Sequence, residues 1–180
     1  MVVLLTGPPG TGKSTLADVA ARELDAPVLG WDWAMAALTP FAEIQAALAV
    51  LDHPTHRRVG WAILTNLATA QLRRGQSVVL DGVARDEEVA LLAALASTHD
   101  APLVVVVTRC SDLERHRAGI EGRDRAIPGW HELTWDGVAD FLTRWSEPDL
   151  TPADHHLRLD AAVDLATNRN HLLACLGAVP

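Results

Sequence analysis

The chain has 180 residues, which suits one domain with a single core, and 49% of them are hydrophobic, which excludes a disordered chain. A net charge of −8 argues against a broad nucleic-acid surface, although a short basic groove stays possible. Apolar runs such as 103–107 are too short to cross a bilayer, so we expect no membrane partner. Two cysteines, Cys110 and Cys175, cannot form a disulfide framework, and the N-terminus is typical of a strand rather than a signal peptide; both indicate a cytoplasmic protein.

Strand-like and helix-like segments alternate along the whole chain. Apolar runs predict five strands, at residues 2–5, 27–29, 77–80, 103–108 and 155–159. Helical spacing predicts helices at residues 14–24, 33–51 with a break near Thr39-Pro40, 55–75, 86–97, from 111 onward, 135–145 and 168–176. Such alternation predicts an α/β fold in three layers, with a five-stranded parallel sheet covered on both faces, as one domain over residues 1–180.

Local signals predict where several helices begin and end. Thr55 is expected to cap the long helix, and Gly75 to follow its last turn. Ser111 and Glu114 have the spacing of a capping box. Residues 119–134 contain two glycines and are broken by Pro128, which predicts a mobile loop.

A glycine-rich loop lies between the first strand and the first helix, in the pattern Gly-x-x-x-x-Gly-Lys-Ser. Glycines let successive backbone N–H groups point at an anion, and the helix adds its positive N-terminal end. Lys13 is the only lysine among fifteen basic residues, at the position where a compact ammonium has to reach the β- and γ-phosphates. The loop predicts a site for ATP or another nucleoside triphosphate with Mg²⁺, formed by Gly7, Pro9, Gly10, Thr11, Gly12, Lys13, Ser14 and Thr15.

Charged residues follow the strands at the carboxyl edge of the predicted sheet, where parallel sheets bind ligands: Asp32, Asp81 and Arg109. Asp32 is a candidate catalytic base, and an N-cap for a helix beginning at Trp33 is the competing interpretation. Asp81, after an apolar strand, is a candidate Mg²⁺ ligand together with the Ser14 hydroxyl, with a turn-forming Asp-Gly pair as the alternative. The sequence leaves open whether the two aspartates exchange these roles.

Arginines are concentrated after the fourth strand, in a segment (about 115–134) that we expect to act as a mobile lid. Arg117, Arg123 and Arg125 are candidates to close over the transferred phosphate, while solvated surface positions are the alternative for some of them. Arg85 and Trp33 are candidate substrate contacts, and Trp130 is a candidate wall of the acceptor pocket. Packing is the competing role for the tryptophans.

These motifs resemble those of the small P-loop kinases, most of all the bacterial AAA-domain predicted kinases akin to chloramphenicol phosphotransferase, gluconate kinase and the kinase modules of polynucleotide kinases. The resemblance rests on the P-loop, on Asp32, on Leu80-Asp81-Gly82 and on the run from Arg109 to Arg115, and it covers nearly the whole chain. It implies a P-loop NTPase fold, a lid carrying arginines, Mg-ATP as phosphate donor and an acceptor hydroxyl near Asp32.

The resemblance favours a kinase of a small hydroxyl-bearing molecule and leaves two alternatives. A polynucleotide 5′-hydroxyl kinase would carry an arginine three residues after the aspartate, and here that position is Met35. A regulatory NTPase without an acceptor is the other alternative. The identity of the acceptor, the choice between ATP and GTP and the oligomeric state stay open.

Overall fold

The computed structural model describes residues 1–179, which form a five-stranded, fully parallel sheet with helices on both faces. The strands are β1 (Val2–Thr6), β2 (Val28–Gly30), β3 (Val78–Asp81), β4 (Leu103–Arg109) and β5 (His155–Asp160). Their order in the sheet is β2-β3-β1-β4-β5, so the chain begins on the central strand. The α/β architecture, the strand number and the parallel pairing predicted from the sequence are confirmed.

β1, β3 and β4 are apolar and buried along most of their length, because both faces of the sheet are covered there, whereas the edge strand β5 carries polar residues. Successive side chains point to opposite faces, so Val2 and Leu4 join one core cluster while Val3 and Leu5 join the other. The helices, in chain order, are α1 (Lys13–Leu24), α2 (Trp31–Ala36), α3 (Ala42–Ala49), α4 (His53–Leu72), α5 (Asp86–Thr98), α6 (Leu113–Glu121), α7 (Trp135–Arg144) and α8 (Leu165–Gly177). Residues of α4 and α5 pack on one face of the sheet, and residues of α1 and α8 on the other.

Several predicted helix starts were wrong by a few residues. Asp52, not Thr55, caps α4, and its carboxylate accepts the Thr55 N–H. Asp112, not Ser111, caps α6 and accepts the Arg115 N–H. In each case a carboxylate accepts an orphan N–H group at the helix start, and neighbouring polar residues make equally plausible candidates in the sequence.

Two predictions about the long helices are confirmed. The break near residues 39–40 separates α2 from α3. Gly75 has φ +73 and follows α4, where the Gln76 N–H donates to the Gln71 carbonyl in the arrangement typical of a helix end. The segment predicted as a loop from residue 119 is shorter at its start, because α6 continues to Glu121. Within residues 1–179, no helix combines the length and the apolar character needed to span a membrane.

Candidate active site

The glycine-rich loop joins β1 to α1 and has a backbone that only glycine adopts readily. Gly7, Gly10 and Gly12 have φ values of +135, +81 and +82. A Cβ atom on Gly7 would lie 2.0 Å from the Thr108 carbonyl oxygen, so the loop passes β4 too closely for any side chain. Thr11 is buried, and its hydroxyl donates to the Pro8 carbonyl at 2.7 Å. The loop is therefore held in its shape by its own hydrogen bonds.

Lys13 and Ser14 open the first turn of α1 and lie beside the end of β3. The Ser14 hydroxyl donates to Asp81 Oδ2 at 2.6 Å, and Lys13 Nζ donates to the Pro8 carbonyl at 2.9 Å. Desolvation lowers the pKa of Lys13, although the charges of Asp81 and Asp32 oppose that shift. Desolvation also raises the pKa of Asp81, against the effects of Lys13 and the Ser14 hydrogen bond. Burying charged groups costs free energy, and such buried charges are typical of functional sites.

The oxygens of Ser14 and Asp81 suit a magnesium ion. Mg²⁺ is usually bound by one or two protein oxygens, with phosphate and water oxygens completing its shell. Within residues 1–179 no group of three or more His, Cys, Asp or Glu side chains forms a self-sufficient metal site. A donor set of two protein oxygens fits an ion that arrives with a nucleotide, whose phosphate oxygens would help to complete the shell.

Asp32 lies in the first turn of α2, which begins at Trp31, so it is not the N-cap of that helix; Gly30 occupies that position. Its carboxylate accepts a hydrogen bond from Arg125 Nη1 at 2.5 Å. Arg125 also donates to Glu132 and to the His131 carbonyl, and its side chain is mostly buried. One arginine of the proposed lid thus lies directly on the candidate catalytic aspartate.

The other two lid arginines differ in their surroundings. Arg123 lines the same cleft as Lys13 and Asp32, and its buried Nε has no hydrogen-bond partner within residues 1–179. Desolvation and the neighbouring Arg125 lower its pKa. Arg117 is more than half exposed and pairs with Glu121 one turn along α6, outside the cleft. The structure brings together two of the three predicted lid arginines.

A cleft of about 670 Å³ runs from the glycine-rich loop past both aspartates. Trp33, Arg85 and Trp130, the predicted substrate contacts, all line it. A smaller cavity of about 350 Å³ lies beside it, between α3 and the start of α4, and it contains none of the phosphate-loop residues. The large cleft is therefore the candidate active site.

The sheet order explains why Arg109 lies away from this cleft. β2 and β3 end on one side of the glycine-rich loop, whereas β4 ends on the other. Arg109 pairs with Asp160 across the β4–β5 edge, at 3.4 Å. Met35, the position at which polynucleotide kinases carry an arginine, is only 1% exposed and belongs to the core.

The sequence reasoning missed two residues that organise the site. His116, on α6, is 2% exposed, and its Nε2 lies 2.6 Å from the Pro9 carbonyl of the glycine-rich loop. Since a carbonyl only accepts, this ring nitrogen carries the hydrogen. Arg57, on α4, pairs with Glu87 and the buried Glu88, and its carbonyl accepts the Trp31 indole N–H. Neither contact has a local sequence signal.

The comparisons with known proteins agree with the fold described above. The family model described as AAA domain matches residues 2–140. No curated protein matches the chain. Among solved structures, the chain is similar to a sugar kinase from Janibacter sp. HTCC2649, with 15% identity over 99% of this chain and 95% of that chain and a TM-score of 0.69.

Two further solved structures have the same fold. A gluconokinase from Sinorhizobium meliloti 1021 has 17% identity over 98% of this chain and 91% of that one, with a TM-score of 0.67. The APS kinase of Mycobacterium tuberculosis, solved with AMPPNP and APS, has 19% identity over 98% and 97%, with a TM-score of 0.59. At these identities the likeness establishes the fold. The chain belongs to the AAA domain family and has the fold of the small P-loop kinases, as its motifs predicted.

Proposed function

We propose that the protein is an ATP- and Mg²⁺-dependent phosphotransferase that moves the γ-phosphate to a hydroxyl of a small molecule. The observation that carries the proposal is that one cleft is lined by the phosphate loop, by Asp32 and Asp81, and by Arg123 and Arg125. A protein that only binds a nucleotide needs the phosphate loop. A second aspartate beside the arginines of the predicted lid would have a role in phosphoryl transfer.

The donor end of the cleft would hold the nucleotide. The backbone N–H groups of the loop and the Lys13 ammonium would bind the β- and γ-phosphates. Ser14 and Asp81 would hold the Mg²⁺, which supplies charge neutralisation on the phosphate oxygens. Arg123, which lines the cleft beside Lys13, would bind the transferred phosphoryl group.

Asp32 would act at the acceptor end. The acceptor oxygen attacks the γ-phosphorus, the bond from that phosphorus to the β–γ bridging oxygen breaks, and ADP leaves. The hydroxyl proton passes to the Asp32 carboxylate, which needs a free lone pair at that moment. Arg125 occupies one of its oxygens at 2.5 Å, so it would orient the carboxylate while leaving the other oxygen for the hydroxyl.

Two observations bear on the alternatives. Met35 is buried, so α2 offers no cation for a polynucleotide backbone at that position. The aromatic side chains that line the cleft beside Asp32, among them Trp33 and Trp130, favour an acceptor over a switch that binds nucleotide alone.

A screen of Mg-ATP consumption tests the proposal. Nucleosides, sugars, antibiotics and 5′-hydroxyl oligonucleotides would be compared, with mass spectrometry to detect a phosphate ester. We expect one class of small alcohol to raise ADP formation and to gain one phosphate. Hydrolysis at one slow rate with every compound would support the regulatory NTPase, and labelling of oligonucleotide ends would support the end kinase.

A further inference from the structure

We propose that the acceptor is an alcohol with a flat, apolar body that also carries an anionic group. This inference rests on the proposed function and specifies the substrate class of the same cleft. The acceptor end has aromatic side chains on two separate segments, α2 and the predicted lid, and an arginine that makes no ion pair within residues 1–179.

Trp31 forms a fixed wall of the acceptor end. Its indole N–H donates to the Arg57 carbonyl at 3.2 Å. A Cβ atom on Gly60 would lie 2.2 Å from the same indole nitrogen, so α4 has a glycine where the ring rests on it. The ring is therefore held by a hydrogen bond and by close backbone packing.

Trp130 supplies a second wall from the lid segment. Its ring meets that of Trp31 edge to face, with centroids 6.0 Å apart and an interplanar angle of 70°. The two rings form an aromatic corner that lines the cleft, and Trp33 adds a ring that is 57% exposed. Aromatic corners of this kind bind flat rings through edge and face contacts.

Val83, Ile127, Leu133 and Phe141 add apolar surface to the cleft, and three histidines, His53, His56 and His131, line it as well. The aliphatic and aromatic side chains offer no hydrogen-bond partner, so burying many sugar hydroxyl groups against them would be unfavourable. An acceptor with one reactive hydroxyl on an apolar body avoids that penalty.

Arg85 provides the cation. It lines the cleft at the start of α5, its side chain is exposed, and it makes no ion pair within residues 1–179. Its neighbour Arg57 is neutralised by Glu87 and Glu88. An anionic group of the acceptor would be the partner of Arg85.

A matched set of four alcohols tests the two features separately. Propan-2-ol has neither feature, lactate has the anion, 1-phenylpropan-2-ol has the ring, and 3-phenyllactate has both. Binding would be measured by calorimetry with a non-hydrolysable ATP analogue and Mg²⁺ present, and gluconate would serve as a larger polar anion. We expect 3-phenyllactate to bind about tenfold more tightly than lactate and than 1-phenylpropan-2-ol.

Variants assign each preference to a residue. R85Q should remove the preference for 3-phenyllactate over 1-phenylpropan-2-ol, and W130A the preference over lactate. R22Q, at an exposed arginine of α1, and F41A, at an exposed ring, lie outside the cleft and should keep both preferences.

Tight binding of gluconate or lactate, binding of none of the alcohols, or unchanged preferences in R85Q and W130A would overturn the substrate class. The proposed function itself would be overturned by another specific result. If 3-phenyllactate binds with both preferences but ATP is only hydrolysed, with no phosphate ester formed, the cleft is a ligand-binding site of a regulatory NTPase.

Discussion

Replacing Arg57 by leucine should destabilise the protein strongly, because it leaves a buried carboxylate without its charged partner. Glu88 is 3% exposed and accepts hydrogen bonds from Arg57 Nε at 3.1 Å and from the Arg85 N–H at 2.8 Å. Breaking a buried ion pair costs about 3–5 kcal/mol. Because Glu88 keeps the hydrogen bond from the Arg85 N–H, we expect R57L to lower the free energy of unfolding by about 3 kcal/mol, the lower end of this range. The second contact, to the exposed Glu87, adds about 0.5 kcal/mol at most.

The free energy of unfolding in urea, followed by tryptophan fluorescence, measures this cost. R58L is the matched control, since Arg58 is the next residue of α4, is exposed and makes no ion pair within residues 1–179. It should change the stability by about 0.5 kcal/mol or less. The double variant R57L/E88L should lose less than R57L alone, about 1–2 kcal/mol, because no buried charge remains. An R57L cost as small as that of R58L would refute the reasoning.

Three further outcomes are expected. K13M should weaken Mg-ATP binding in calorimetry about 100-fold, through the loss of charge-assisted bonds to phosphate, and a loss below threefold would contradict the assigned role. D81N removes a carboxylate whose pKa is raised by burial above its ordinary 3.8, so the wild-type folded state loses stability as that group ionises with rising pH. The stability of D81N relative to wild type should therefore increase from pH 4 to pH 7, and a constant or falling difference would contradict the pKa shift. H116L leaves the Pro9 carbonyl without its donor and should weaken nucleotide binding about tenfold with an unchanged circular dichroism spectrum, whereas unaltered affinity would mean that α6 does not support the loop.

The sequence was informative wherever a signal is local or set by topology. The P-loop has fixed spacing, and β1, β3 and β4 are apolar on both faces, so these features were predictable. Asp32 and Asp81 were found because parallel strands end at one edge, and β2 and β3 are neighbours in the sheet. The same rule puts Arg109 correctly at that edge, where β4 ends, but the sequence does not say that β4 lies on the other side of β1 from the cleft.

The rest depended on contacts between residues far apart in the chain. His116 reaches the Pro9 carbonyl across 107 positions, and Arg57 reaches Glu88 across 31. Glu121, four residues after Arg117, is a local signal for an ion pair on the same helix, but no local signal shows that Arg123 lines the cleft. Composition located the arginine cluster, and tertiary packing decided which members face the site.

Transfer of labelled phosphate by wild type and D32N is the most direct test of the proposed kinase activity. The protein, Mg²⁺ and γ-labelled ATP would be incubated with an acceptor from the screen, and label in an organic ester would be compared with label in inorganic phosphate. We expect the wild type to form the ester, and D32N to form it about 10²–10⁴-fold more slowly with nucleotide affinity retained. Label appearing only in inorganic phosphate, or an ester formed by D32N at the wild-type rate, would contradict the proposal.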